Sequence, residues 1–282
     1  MRSIHYTNLD QGSIVKIVPD LIRNRTLLRD LVWKELRARY RNAMMGFLWA
    51  VLQPVLMMLI LTLVFGFLLG GMMTDRTGKS SHPYAVMLLC GLVPWQFLAV
   101  AIACGTNSLL ESQALIKKVH FPREMIPLAA VANCIVNVVI GFVTLLVVMA
   151  LLEPRGVAAI GVGILYVPFI FVIQLALIVG LVLFLSALNV HYRDVGYMVD
   201  VLLAFGFYAT PIFYPLPRSF ESLPISAGLA DWLYRLYMMN PMANLVTAYR
   251  QALLDNRLPD AILLARPAMI ALIVLVMGVC VF

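Results

Sequence analysis

From residue 46 onward, long unbroken apolar runs alternate with short polar breaks. The runs cover approximately residues 46–71, 84–110, 125–152, 160–188, 197–215 and 261–282. Each reaches or approaches the roughly 20 residues a helix needs to cross hydrocarbon. Only helices and closed barrels satisfy all their own backbone groups in lipid. Continuous runs, rather than short alternating ones, select helices. The pattern predicts an all-α integral membrane protein with six transmembrane helices.

Two stretches depart from it. Residues 1–45 are polar and basic and precede the 46–282 transmembrane domain. Within them Leu28, Leu31, Val32 and Leu36 fall on one helical face, and Arg29, Lys34, Arg37 and Arg41 fall on others. That spacing predicts an amphipathic helix lying in the headgroup layer, or a solvated linker helix. Residues 216–260 are too long for a turn and too interrupted for a span. An amphipathic stretch over 231–239 is broken by Asn240-Pro241, and a helical pattern resumes over 242–254. Two short re-entrant helices in the outer leaflet fit this pattern, as does an outer-surface cap.

Composition narrows the class further. The 282 residues are 62% hydrophobic and 12% charged, about half the charged share of a soluble domain. The formal charge of +7 sits beside the apolar runs. It points to anionic headgroups and topology rather than nucleic acid. Residues 1–45 carry a dense share of the basic residues, with Lys117, Lys118, Arg123 and Arg193 in loops on the same side. The positive-inside bias therefore places both termini in the cytoplasm. The basic N-terminus does not read as a cleavable signal peptide. The sixth run is still apolar at residue 282, so a cytoplasmic tail is expected beyond it. Cys90, Cys104, Cys134 and Cys280 all lie in apolar runs, with neither metal-ligand spacing nor a disulfide framework.

Candidate chemistry is sparse. Thr77-Gly78-Lys79-Ser80 resembles the end of a phosphate loop, but Met73 stands where the first glycine belongs and His82-Pro83 follows instead of a helix start. His5, His82, His120 and His191 are scattered over loops on both sides, so no metal site is expected. Charged residues such as Asp200 fall toward span ends, not at mid-membrane where ion carriers sit. With no catalytic residues and no ion path, the driving energy must come from a partner. Residues 111–124 are the candidate contact. Leu115, Ile116 and Val119 form a small apolar face beside Lys117 and Lys118, and Phe121-Pro122 ends the pattern before Arg123 and Glu124. Such a helix can enter a groove on another protein; an ordinary basic topology loop would read the same way. Asn133 and Asn137 share a face of the third span and suit an interhelical hydrogen bond better than a sugar.

Several stretches resemble the membrane subunits of polysaccharide-export ABC transporters. They are Arg37-Ala38-Arg39-Tyr40-Arg41 with Gly46-Phe47-Leu48-Trp49-Ala50, then Gly91-Leu92-Val93-Pro94-Trp95-Gln96-Phe97 and Leu115-Ile116-Lys117-Lys118-Val119. Asn189-Val190 with Tyr192-Arg193-Asp194-Val195, Thr210-Pro211-Ile212-Phe213-Tyr214-Pro215 and Asn240-Pro241-Met242 follow in order, so the resemblance covers nearly the whole chain. The family resemblance implies a permease in the bacterial inner (plasma) membrane, exporting a lipid-linked O-antigen, teichoic acid or capsular chain. It implies a homodimer with the channel between the subunits and two cytoplasmic ABC ATPase subunits, which hold the ATP and Mg; this chain itself binds no cofactor. The 111–124 segment would be the coupling helix. In this setting Trp49, Trp95, Phe205, Phe207, Tyr208, Phe213 and Tyr214 are candidates to line the channel, because aromatic faces can replace water along a sugar chain. Each could equally face lipid or pack between helices. Arg37, Arg39 and Arg41 could bind the carrier diphosphate or simply anchor headgroups. A permease for small drugs and a membrane enzyme acting on lipid-linked sugars are the alternatives; the second would need an acidic or histidine cluster that the sequence lacks.

Overall fold

The apolar runs become helices that share polar contacts at both ends of a bundle. A computed structural model describes residues 25–40, 48–68, 83–118, 122–152, 161–214 and 227–282, and these contain helices and turns with no strand among them. In chain order the helices are α1 (Arg25–Tyr40), α2 (Leu48–Leu61, continued by a π-helical stretch Thr62–Leu68), α3 (Tyr84–Glu111), α4 (Gln113–Ile116) and α5 (Met125–Leu152). A 3₁₀ turn, Val162–Tyr166, leads into α6 (Val167–His191), followed by α7 (Val195–Ala209), α8 (Ala227–Tyr237), α9 (Pro241–Leu253) and α10 (Ala261–Val281). Five of the described helical segments are long and apolar enough to cross a membrane: Leu48–Phe65, Tyr84–Glu111, Met125–Leu152, Val162–His191 and Ala261–Val281. The fifth predicted run is shorter than expected. Its helix α7 has 15 residues and stops at Ala209, and Thr210–Tyr214 is bent.

α3 is the axis of the fold. It packs along α5 and α6 and also touches α2, α7 and α9. Van der Waals fit, not hydrophobicity, must hold such helices together, because lipid is as apolar as they are. α6 and α10 show how. A Cβ on Gly180 would lie 2.6 Å from the Leu275 backbone nitrogen, and one on Gly278 would meet the Gly180 carbonyl. Only glycine at both positions lets these two backbones touch.

α1 packs against α5. Its Leu28, Leu31, Val32 and Leu36 are partly buried while Arg29, Lys34 and Arg37 are exposed. The break at Asn240 also falls where expected. The Asn240 side chain accepts from the Met242 N–H at 2.9 Å, and Pro241 occupies the first helical position of α9. α9 is not a surface layer: Leu245, Val246, Ala248 and Tyr249 are all fully buried.

Candidate functional site

Three regions carry the chemistry: the turn around α4, a polar knot beside it, and a second polar cluster at the opposite, α9 end. The α4 turn follows α3 directly. Its backbone closes through the Lys117 N–H to the Gln113 carbonyl at 3.1 Å, and Lys118 to Leu115 at 3.1 Å. Leu115 and Ile116 are partly buried, whereas Gln113, Ala114, Lys117, Lys118 and Arg123 are exposed. Pro122 and Glu124 are partly buried, and Val119 and Phe121 lie outside the described residues. The helix at this place is one turn long and leaves an exposed basic corner backed by two aliphatic side chains.

Beside it, Asn189 of α6 reaches two neighbouring helices. Its Nδ2 donates to the Thr106 carbonyl at 3.0 Å and to Asn107 Oδ1 at 3.1 Å, both on α3. Its Oδ1 accepts from the Gly196 N–H of α7 at 3.1 Å. Asn189 is 1% exposed.

The α9 end is tied down in another way. Gln174 of α6 donates from Nε2 to the Pro94 carbonyl of α3 at 2.7 Å, and its Oε1 accepts from the Tyr249 hydroxyl at 2.9 Å. Arg250, one residue on, donates from Nη2 to the Ile212 carbonyl at 2.7 Å and from Nη1 to the Tyr214 carbonyl at 3.3 Å. Burial lowers its pKa to about 10, which keeps it charged at neutral pH. The guanidinium thus supplies donors to the bent segment that ends α7. Tyr84 completes the cluster by donating to the Phe213 carbonyl at 2.9 Å.

The seven aromatic candidates separate into two groups. Trp95 and Phe213 are buried, and Phe207 and Tyr214 pack partly buried against the same core. Phe207 sits edge-on to Phe213 at 4.9 Å and tilted to Trp95 at 6.2 Å. Trp49, Phe205 and Tyr208 are exposed on the surface of the chain. Of the basic candidates, Arg37 lies 6.0 Å over the exposed Trp33 ring, a cation–π distance. Arg39 lies on α1, and Arg41, like residues 77–80, is outside the described residues. Asn133 is buried on α5 and Asn137 is partly buried. Among the described residues no group of three His, Cys, Asp or Glu could hold a metal. Sequence reasoning missed Gln174 and Arg250. The first was hidden in an apolar run, and the second was one polar position in the helical pattern over 242–254.

The described residues thus form a helical bundle with five segments long and apolar enough to cross a membrane. The sequence matches the ABC-2 type transporter family over residues 26–254, and the chain belongs to that family. It is 32% identical over 248 residues, 88% of each chain, to the O-antigen export system permease protein RfbA of Myxococcus xanthus. It is 27% identical over 228 residues, 80% of this chain and 79% of the relative, to a protein of the same description from Klebsiella pneumoniae. The polysialic acid transport protein KpsM of Escherichia coli is 22% identical over 253 residues, 89% of this chain and 90% of that one.

Proposed function

We propose that the chain is the membrane-spanning subunit of an ATP-driven exporter that moves a lipid-linked polysaccharide, O-antigen foremost, across the bacterial inner membrane. The observation that carries this reading is the similarity to O-antigen export permeases along 88% of the chain. The polysialic acid relative keeps a capsular chain as the second substrate class. ATP and Mg belong to two cytoplasmic ATPase subunits, and this subunit contributes no catalytic group. Residues 111–124 couple to them: Leu115 and Ile116 seat in a groove of the ATPase while Lys117, Lys118 and Arg123 orient the contact.

In this reading α7 and the bent Thr210–Tyr214 segment together make the fifth of six spans. α1 lies in the headgroup layer, α8 and α9 are re-entrant, and both termini are cytoplasmic. Two copies form the working unit. The exposed Trp49, Phe205 and Tyr208 face the shared channel, while Trp95, Phe207, Phe213 and Tyr214 support them from behind. Arg37, Arg39 and Arg41 meet the carrier diphosphate at the cytoplasmic leaflet, where a guanidinium can bind phosphate bidentately. A hydroxylated chain crosses because polar and aromatic side chains replace the water it sheds.

The test is the double substitution Leu115→Asp with Ile116→Asp in the full transporter. Export of the glycan to the cell surface should stop while the permease remains inserted, and the ATPase should no longer co-purify with it. Undiminished export would refute the assignment of residues 111–124.

A further inference from the structure

Asn189 occupies a place that no loop-anchoring residue needs. It is buried at the end of α6, yet its bonds go to α3 and α7 rather than within its own helix. α7 has no cap of its own: Asp194 stands at its N-cap position and makes no side-chain hydrogen bond. The Gly196 N–H, one of the donors that a helix start leaves unsatisfied, is accepted instead by Asn189. The same amide grips α3 at Thr106 and Asn107, one turn before α3 ends at Glu111 and α4 begins. Asn107 is itself held to its own helix by an Nδ2 bond to the Ala103 carbonyl at 3.1 Å. Gly196 permits the close approach, since a Cβ there would lie 3.1 Å from Asn107 Oδ1.

One side chain therefore joins the end of the helix that leads into α4 to the start of the helix that carries Phe205 and Tyr208. In a low-dielectric site such bonds are stiff and costly to leave unmade. We propose that Asn189 is the positioning residue that transmits displacement of the 111–124 segment to α7. Movement of α4 pulls the last turn of α3. Because the amide is fixed to that turn and to the Gly196 N–H, α7 moves with it and does not slide past. This inference rests on the reading of residues 111–124 as the ATPase contact.

The deciding measurement is glycan exported per ATP hydrolysed, by the full complex of permease and ATPase in proteoliposomes. Asn189→Leu keeps the number and branching of the side-chain heavy atoms and removes all three bonds. It should leave ATP hydrolysis close to that of the unsubstituted complex and lower export per ATP about tenfold, within the usual range for coupling between two sites. Asn107→Ala, which removes one acceptor, should lower the ratio less. The double variant should be no worse than Asn189→Leu alone, because both act on one contact. A merely structural role would lower hydrolysis and export in proportion, and that result, or an unchanged ratio, would overturn the proposal. Where Asn189→Leu does not assemble, Asn107→Ala decides by the same ratio. An unsubstituted complex that hydrolyses ATP and exports no glycan would sink the export reading and this inference with it, so the control tells the two failures apart.

Discussion

α3 and α7 are both apolar helices with aromatic side chains, yet one is enclosed and the other is nearly bare. α3 buries Leu88, Leu89, Leu92, Trp95 and Phe97 among many others, and it has helices on several sides. In α7 only Val199 is buried, while Tyr197, Met198, Val201, Leu202, Phe205 and Tyr208 are exposed. Hydropathy cannot make this distinction, because lipid solvates either helix equally well. Specific polar contacts do make it. α3 receives Gln174 at Pro94 and Asn189 at Thr106, whereas α7 is held by the Gly196 bond at one end and by Arg250 just beyond the other. A helix fixed at its ends and exposed along most of its surface is suited to present that surface to something other than its own bundle.

The contrast can be broken most sharply at its aromatics. Trp95→Ala should cost roughly 3–5 kcal/mol, as for other buried large-to-small changes, read by equilibrium unfolding in detergent micelles. Arg250→Met should come next, at roughly 1.5–3 kcal/mol for losing hydrogen bonds from a charged donor. It should loosen Thr210–Tyr214 in particular, which hydrogen exchange at Ile212 and the following residues would report. Tyr249→Phe removes a single neutral bond to Gln174 and should cost about 1 kcal/mol in the same unfolding measurement. Tyr208→Ala and Phe205→Ala should change the stability of the chain by less than about 0.5 kcal/mol, the usual range for exposed positions, while lowering glycan export. A large stability loss at either would mean that the face of α7 is packed after all.

Much of this arrangement could be read from the sequence. The third apolar run became α5 with both ends as expected, at Met125 and Leu152, and the second became α3 to within one residue. Long runs with polar punctuation are legible because the bilayer sets their length. The fifth run was overestimated, since 197–215 is apolar apart from Asp200 and Thr210 and carries no polar break near its end. Pro211 and Pro215 were the available signals that the helix would not continue, and the carbonyls freed there are met by Arg250. Which aromatics face outward was not legible. Uniformly apolar helices have no polar face to orient them, so Trp95 and Tyr208 look alike until α3 and α7 are placed. Asn189 stood inside a recognised motif, but its partners Thr106 and Asn107 lie more than 80 residues earlier in the chain, a distance no local pattern reveals.

The central claim is that this subunit does no chemistry and moves its cargo with work done by another. Proteoliposomes containing the permease alone, and others containing it with its ATPase, should be loaded with the lipid-linked glycan and given ATP and Mg. Phosphate release and transfer of glycan to the opposite leaflet should occur together, and only when the ATPase is present. Release of phosphate or translocation of glycan by vesicles containing the permease alone would contradict the account.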